Sequence, residues 1–249
     1  MRRSTLLTLL AAALTSSAAA QSRNPCPERP GQTTPPCTVA PGQVSVESAL
    51  FDLQRLRAAP NAETVSLAQT AVRFGLTPHA EVAVGISPLI NRGTTGIGDT
   101  TIAVKRSFGS ADAPHAAIKA ILSVPTGTGG QGAGGWAAAV QLPLAFDLTK
   151  HLQFDATPQV GWVVNDDGHG HHLQAGTAVG FVDQVTDRLA LDADLLVLHD
   201  DEAKTTTATL GSAVAYRVGK RGQIDLGANL GLSRSQGALE LYLGVARLF

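Results

Sequence analysis

The sequence predicts an all-β fold: a transmembrane antiparallel up-and-down β-barrel of about 12 strands. Three observations carry that prediction. Apolar and polar residues alternate with period 2 in run after run, most clearly in Gln223-Ile224-Asp225-Leu226 and Leu239-Glu240-Leu241-Tyr242-Leu243, and period 2 marks a strand with two unlike faces. The runs are roughly ten residues long, the length a tilted strand needs to cross a bilayer. Acids and bases recur inside the strands as well as between them, which suits a wet interior and a lipid exterior.

Taken in order, residues 1–20 have the layout of an export signal. Met1-Arg2-Arg3 is basic, residues 6–14 are apolar, and Ala18-Ala19-Ala20 offers a small-residue cleavage site. The apolar stretch is too short to cross a membrane as a helix, so a cleaved signal peptide is expected. Residues 21–41 read as a Pro-rich periplasmic leader, mobile and outside the barrel. It holds the chain's two cysteines, Cys26 and Cys37, the candidate disulfide pair in an oxidising compartment. No nearby thiol or histidine completes a metal set around them.

The barrel is expected over 42–249. Residues 44–51 set Val44, Val46, Ser48 and Leu50 against Ser45, Glu47, Ala49 and Phe51. A run at 63–74 meets a tight turn, Gly75-Leu76-Thr77-Pro78, and returns over 80–86. A loop at 88–96 leads to strands at 97–108 and 116–124, then to a Gly-rich loop at 125–135. Residues 136–147 and 152–164 form a hairpin about 148–151. In its second arm Gln153, Asp155, Thr157 and Gln159 face away from Leu152, Phe154, Ala156, Val160 and Trp162. Runs at 173–182, 189–198 and 205–218 precede the closing hairpin of 223–249. Short connections alternate with longer, polar or Gly-rich ones, the asymmetry between periplasmic turns and outer loops; 109–115 and 234–237 depart from it.

Composition narrows the class. The chain has 249 residues, 16% of them charged, with a formal net charge of −1, which supplies no basic surface for nucleic acid. A soluble β-sandwich also alternates, but its strands are shorter and its inner faces apolar. Aromatic residues make up only 4%, few for two interfacial girdles, although Phe74, Phe108, Trp136, Trp162, Tyr216 and Phe249 all fall near strand ends.

Candidate chemistry is sparse. Thr126-Gly127-Thr128-Gly129-Gly130-Gln131-Gly132 superficially matches a phosphate-binding loop, but it opens no helix and lacks Gly-Lys-Ser/Thr; a flexible outer loop fits better. His169, His171 and His172, beside Asp166 and Asp167, are the most metal-like cluster, against the plain alternative of a solvated loop. No Gly-x-Ser-x-Gly occurs and the histidines lie away from strand serines, so a catalytic pairing is not expected and no cofactor is implied. The informative residues are the charges on the polar strand faces. Taken as lumen lining, they are Glu47, Arg73, Glu81, Asp99, Lys105, Lys119, Asp155, Asp192, Asp194, Arg217, Asp225 and Glu240. Such charges narrow a pore and select what passes, or they satisfy one another in a closed barrel.

Two motifs point to a family. Arg73-Phe74-Gly75-Leu76-Thr77-Pro78-His79-Ala80-Glu81-Val82, and Gly96-Ile97-Gly98-Asp99 followed by Lys105, resemble the outer-membrane proteins named for the meta-cleavage pathway of phenol degradation. The resemblance covers about 63–249, with Phe74 where Tyr is commoner and Arg247 where an apolar residue is usual. It implies a twelve-stranded barrel concerned with passage of small, often hydrophobic compounds, and it supplies no binding or catalytic residues. The expectation is therefore a non-enzymatic, porin-like transporter in the Gram-negative outer membrane, in contact with its lipids, delivered to the barrel-insertion machinery through its C-terminal strand and passing small molecules, hydrophobic or aromatic ones among them. A non-conducting structural barrel is the alternative, and a hydrolase at the membrane rim a more distant one.

Overall fold

The computed structural model of the protein describes residues 26–56, 63–111, 113–233 and 237–249. The expected signal peptide and residues 21–25 of the leader lie outside them, as do residues 57–62 and the tip of the last loop. Among the described residues there is no helix. The strands are β1 (Val44–Leu56), β2 (Glu63–Thr77), β3 (Ala80–Ile86), β4 (Leu89–Arg92), β5 (Thr94–Gly96), β6 (Thr100–Gly109), β7 (Pro114–Val124) and β8 (Ala137–Gln141). They continue as β9 (Leu144–Asp147), β10 (Leu152–Val164), β11 (His171–Gln184), β12 (Leu189–Asp200), β13 (Thr205–Val218), β14 (Gly222–Gly231) and β15 (Gly237–Leu248).

All pairings are antiparallel, and β1 pairs with both β2 and β15, so the sheet closes on itself. The seam ends at the last residue, where Phe249 N donates to Val44 O at 2.8 Å. Closure pairs the first long strand with the last, and paired backbone is the condition for strands to sit in lipid. Fifteen segments form twelve walls, because three walls are interrupted: β3 and β4 run successively along β2, β6 and β5 along β3 and β4, and β8 and β9 along β10.

Two of the interruptions have a visible cause. Pro143 and Pro88 cannot donate to a ladder, and each sits where its wall breaks. Residues 136–147, expected as one strand, are thus two, with Leu142 N donating to Pro158 O at 2.9 Å across the gap. Residues 88–96, expected as a loop, instead carry β4 and β5.

A second departure from strict alternation lies in β1. Its register with β15 passes from Ala49↔Gly244 to Phe51↔Leu243, which makes Leu50 an extra residue, and Ala68, beside it on β2, takes φ 54°. One extra residue in a period-2 strand exchanges its faces. Phe51 therefore turns outward with Leu50, and Asp52 turns inward and is buried.

The two faces of the wall differ as a lipid exterior and a wet lumen should. Leu226 is 59% exposed while its neighbour Asp225 is 1% exposed. Outward positions are Val, Leu, Ile and Phe, including Val104, Val214, Leu241 and Leu243. The buried inward set is small or polar: Ala49, Ala103, Ala117, Ala178, Ala213 and Ala246, with Ser45, Ser66 and Thr157. A wall lined with alanines does not fill its own interior. Something else occupies that space.

Candidate functional site

The occupant is the leader. Composition alone places it outside the barrel as a mobile segment; instead residues 26–41 fold back into the lumen and bond to inward side chains from walls all around it. Cys26 and Cys37 are joined by a disulfide, which shapes the segment into a loop. Glu28 N donates to Glu47 Oε2 on β1 at 2.8 Å, and Val39 N to Glu81 Oε2 on β3 at 2.6 Å. Thr34 N donates to Thr157 Oγ1 on β10 at 2.9 Å, and Gln32 N to Asp194 Oδ2 on β12 at 2.7 Å. Gln223 Nε2 on β14 donates to Arg29 O at 2.8 Å.

Close approach explains two glycines. A Cβ on Gly75 would stand 2.0 Å from Ala40 O and 2.5 Å from Val39 O, so the leader could not lie against β2 there if that residue were larger. Gly31, at φ +92°, faces Asp192 and Asp194 with no room for a side chain, in a backbone region that favours glycine.

The lumen charges form two unlike walls. On one side, Arg73 (β2) donates through Nη1 to Glu47 Oε1 at 2.6 Å and through Nη2 to Glu81 Oε1 at 2.8 Å, and also to Cys26 O. Lys105 (β6) reaches Glu28 Oε1 at 2.9 Å and Glu81 Oε1 at 3.2 Å, and Lys119 (β7) reaches Glu28 Oε2 at 2.6 Å. Burial pushes the Glu28 carboxyl up, but Lys105, Lys119 and Arg73 pull it down by more, leaving it well below the ordinary carboxylate range.

On the other side stand Asp155 (β10), Asp192 and Asp194 (β12) and Asp225 (β14), all buried. Arg29 of the leader meets this wall, with Nη2 2.9 Å from Asp225 Oδ1 and its guanidinium 5.4 Å over the Tyr242 ring. Adjacent leader residues thus present an anion to the basic wall and a cation to the acidic one. Between leader and acidic wall a cavity of about 80 Å³ remains, lined by Asp155, Asp192, Arg217 and Gln223 with Arg29 and Pro30.

The remaining sequence candidates fall elsewhere. Glu240 accepts from Gln54 Nε2 at 3.1 Å and Asn229 Nδ2 at 2.7 Å. Asp99 does not join the lumen network. It accepts from Gly127 N and Ala133 N, each at 2.8 Å, and so ties down the Gly-rich loop that composition alone leaves flexible. The three histidines are not brought together. His171 stacks on Trp162 with ring centroids 3.5 Å apart, while His172 sits between Asp200 and Glu202 at 3.2 and 3.1 Å. Among the described residues no group of three or more His, Cys, Asp or Glu is arranged to hold a metal ion.

Glu28, Arg29, Gln32 and Asp52 are lumen groups that strand parity could not find. The first three stand in a segment with no period at all, and Asp52 follows the bulge. One signal was available: paired cysteines in a short leader mark a segment with a defined shape.

Residues 28–245 match the family model described as "Putative MetA-pathway of phenol degradation". The match begins at residue 28, inside the leader. No curated protein matches the sequence. An outer membrane channel from Pseudomonas putida F1 superposes with TM-score 0.66 at 14% identity, over 89% of this chain and 99% of that one. The NanC porin follows at TM-score 0.57 and 9% identity, over 82% and 98% of the two chains, and the KdgM porin at 0.55 and 8%, over 83% and 99%. At these identities the likeness is one of fold: that of outer-membrane barrels.

Proposed function

The chain belongs to the family whose model it matches, and on that footing we propose that it is an outer-membrane channel for passive passage of small molecules, hydrophobic and aromatic compounds among them. One observation carries this reading. The barrel's inner wall is built of small and polar residues and its interior is filled by a separable polar segment, not by a core of its own side chains. Small barrels fill themselves from their own walls, and wider ones leave a channel or a plugged lumen. Here an ion-paired leader stands where a passage would run, and shifting it leaves a charged, hydrated path. Similarity in fold to an outer membrane channel and to porins supports the same reading, as it does a passive role without catalysis. In this reading residues 1–20 direct export and are removed, the lipid-facing side chains meet the outer membrane, and the C-terminal strand, ending on Phe249, is what the insertion machinery engages.

Recordings of single channels in planar bilayers test it. The full chain should show small conductance, because the leader leaves little free lumen. Replacing both Glu28 and Arg29 by Gln severs the leader's ion pairs to both walls, and conductance should rise several-fold. If neither protein conducts, the channel reading fails and a structural barrel takes its place. That second reading has its own support in the leader's simultaneous hold on both walls. Liposome influx of a small aromatic alcohol against a sugar of similar mass would then define the permeant class.

A further inference from the structure

We propose that Arg73, Lys105 and Lys119 form a binding site for small monocarboxylates, and that Glu28 occupies it as a ligand tethered to the chain. The inference rests on the channel reading, since it names what the lumen recognises. Its starting point is a register that looks unfavourable. Lys105 and Lys119 stand directly opposite each other on neighbouring strands, and both point inward, with side chains only 1% and 13% exposed. Like charges in that relation repel, and burial removes the water that would screen them. The pair is tolerable only with an anion between its members.

The Glu28 carboxylate is that anion, and its two oxygens divide between the lysines, Oε1 to Lys105 at 2.9 Å and Oε2 to Lys119 at 2.6 Å. The group bridging the site is therefore a carboxylate borne on the leader and not on the wall. Charge sets the valence. Arg73, Lys105 and Lys119 supply three cations and Glu47 and Glu81 two anions, so the wall site without its occupant carries +1. That suits a monocarboxylate and disfavours a dianion such as phosphate, which would face Glu47 and Glu81 with an uncompensated charge. The site is reachable from water, because the Glu28 side chain keeps 19% exposure. An incoming carboxylate displaces Glu28 alone, since Arg29 and Gln32 hold the leader to the opposite wall.

The test is a calorimetric titration of the full chain in detergent micelles with sodium benzoate, and with benzamide as the uncharged match. Glu28→Gln removes the competing carboxylate and should tighten benzoate binding at least tenfold, with no comparable gain for benzamide. Adding Lys119→Gln, at a partly exposed position that leaves Arg73 and Lys105 in place, should reverse the gain. In the unmodified chain benzoate should also speed hydrogen exchange at the Glu28 amide, which needs no variant to fold. Equal binding of benzoate and benzamide by the Glu28→Gln protein, or indifference to Lys119→Gln, overturns the proposal. So does unchanged exchange at Glu28 beside measurable binding. Because binding is read without a membrane, it separates from conductance: benzoate preference without conductance keeps the site and rejects the channel, and conductance without benzoate preference rejects the site alone.

Discussion

The basic and acidic walls of the lumen are charged by different rules. Arg73 is enclosed by Glu47 and Glu81, which come from the strands on either side of its own, so most of the basic wall's neutralisation is internal to the barrel. The acidic wall takes Arg29 from the leader for Asp225 and the Gln32 amides for Asp194. One wall is neutralised largely by its neighbours in the sheet and takes Glu28 alone from the leader, while the other relies on a segment remote in sequence. The difference teaches where the barrel can tolerate change. Disturbing the internal set should weaken the fold itself, whereas disturbing the leader's set should free the lumen and leave the wall standing.

The largest expected effect comes from breaking the internal set. Arg73→Met leaves buried Glu47 without its cation and Glu81 with Lys105 alone, and should destabilise the barrel by about 3–5 kcal/mol, read from urea unfolding in micelles. A loss below about 1 kcal/mol would mean that the leader, not Arg73, neutralises that wall.

Next come the outer face and the acidic wall, compared at adjacent positions. Leu226→Arg puts a charge in lipid and should cost about 2–4 kcal/mol near the midplane. Asp225→Asn removes a carboxylate paired with the part-exposed Arg29 and should cost under about 2 kcal/mol while raising conductance. Equal costs would contradict the assignment of the faces.

Gly75→Ala sharpens the contrast without altering any charge. Its Cβ would strike Ala40 O and Val39 O, so the leader must lift and Val39 N must leave Glu81. Conductance should rise about two-fold or more with the unfolding midpoint nearly unchanged, and a matching fall in stability would show leader and wall to be one cooperative unit.

Acid provides a milder test through Glu28, which is faced by Lys105, Lys119, Arg73, Glu47 and Glu81 from β6, β7, β2, β1 and β3. Its folded value lies well below the ordinary 4.5, so its stabilisation is complete above that pH and is lost as pH falls through the lower folded value. Protection of the leader amides from hydrogen exchange should follow that course, and the Glu28→Gln protein should not show it.

The smallest expected effect is ion preference. The inward acids Glu47, Asp52, Glu81, Asp155, Asp192, Asp194, Asp225 and Glu240 outnumber the bases Arg73, Lys105, Lys119 and Arg217 by eight to four, and Glu28 and Arg29 cancel. A net of −4 should favour inorganic cations modestly, as reversal potentials across a salt gradient would show. Asp52 here replaces Asp99, so strand parity alone reached the same total for a partly wrong reason.

Much of the wall was legible because alternation is local chemistry. Leu152 to Val164, Thr205 to Val218 and Ala80 to Ile86 are strands at the bounds their periodicity predicts, and Arg73, Glu81, Lys105, Asp155 and Asp225 are buried inward as parity requires. Parity carries no memory across a break, so it went astray at Phe51, just past the extra residue Leu50, and could not see that Pro88 and Pro143 interrupt a wall without ending it.

By itself, then, the sequence determined the fold class, the lipid-facing stripe and most of the lumen charges, because each is set within a few residues by strand period and polarity. The tertiary structure alone decided which charges meet, and that the leader lies among them. Lys105 and Lys119 are acceptable neighbours only once Glu28, 77 and 91 residues away along the chain, stands between them. Barrel closure creates that encounter, and a contact that exists only after closure leaves no trace in local pattern.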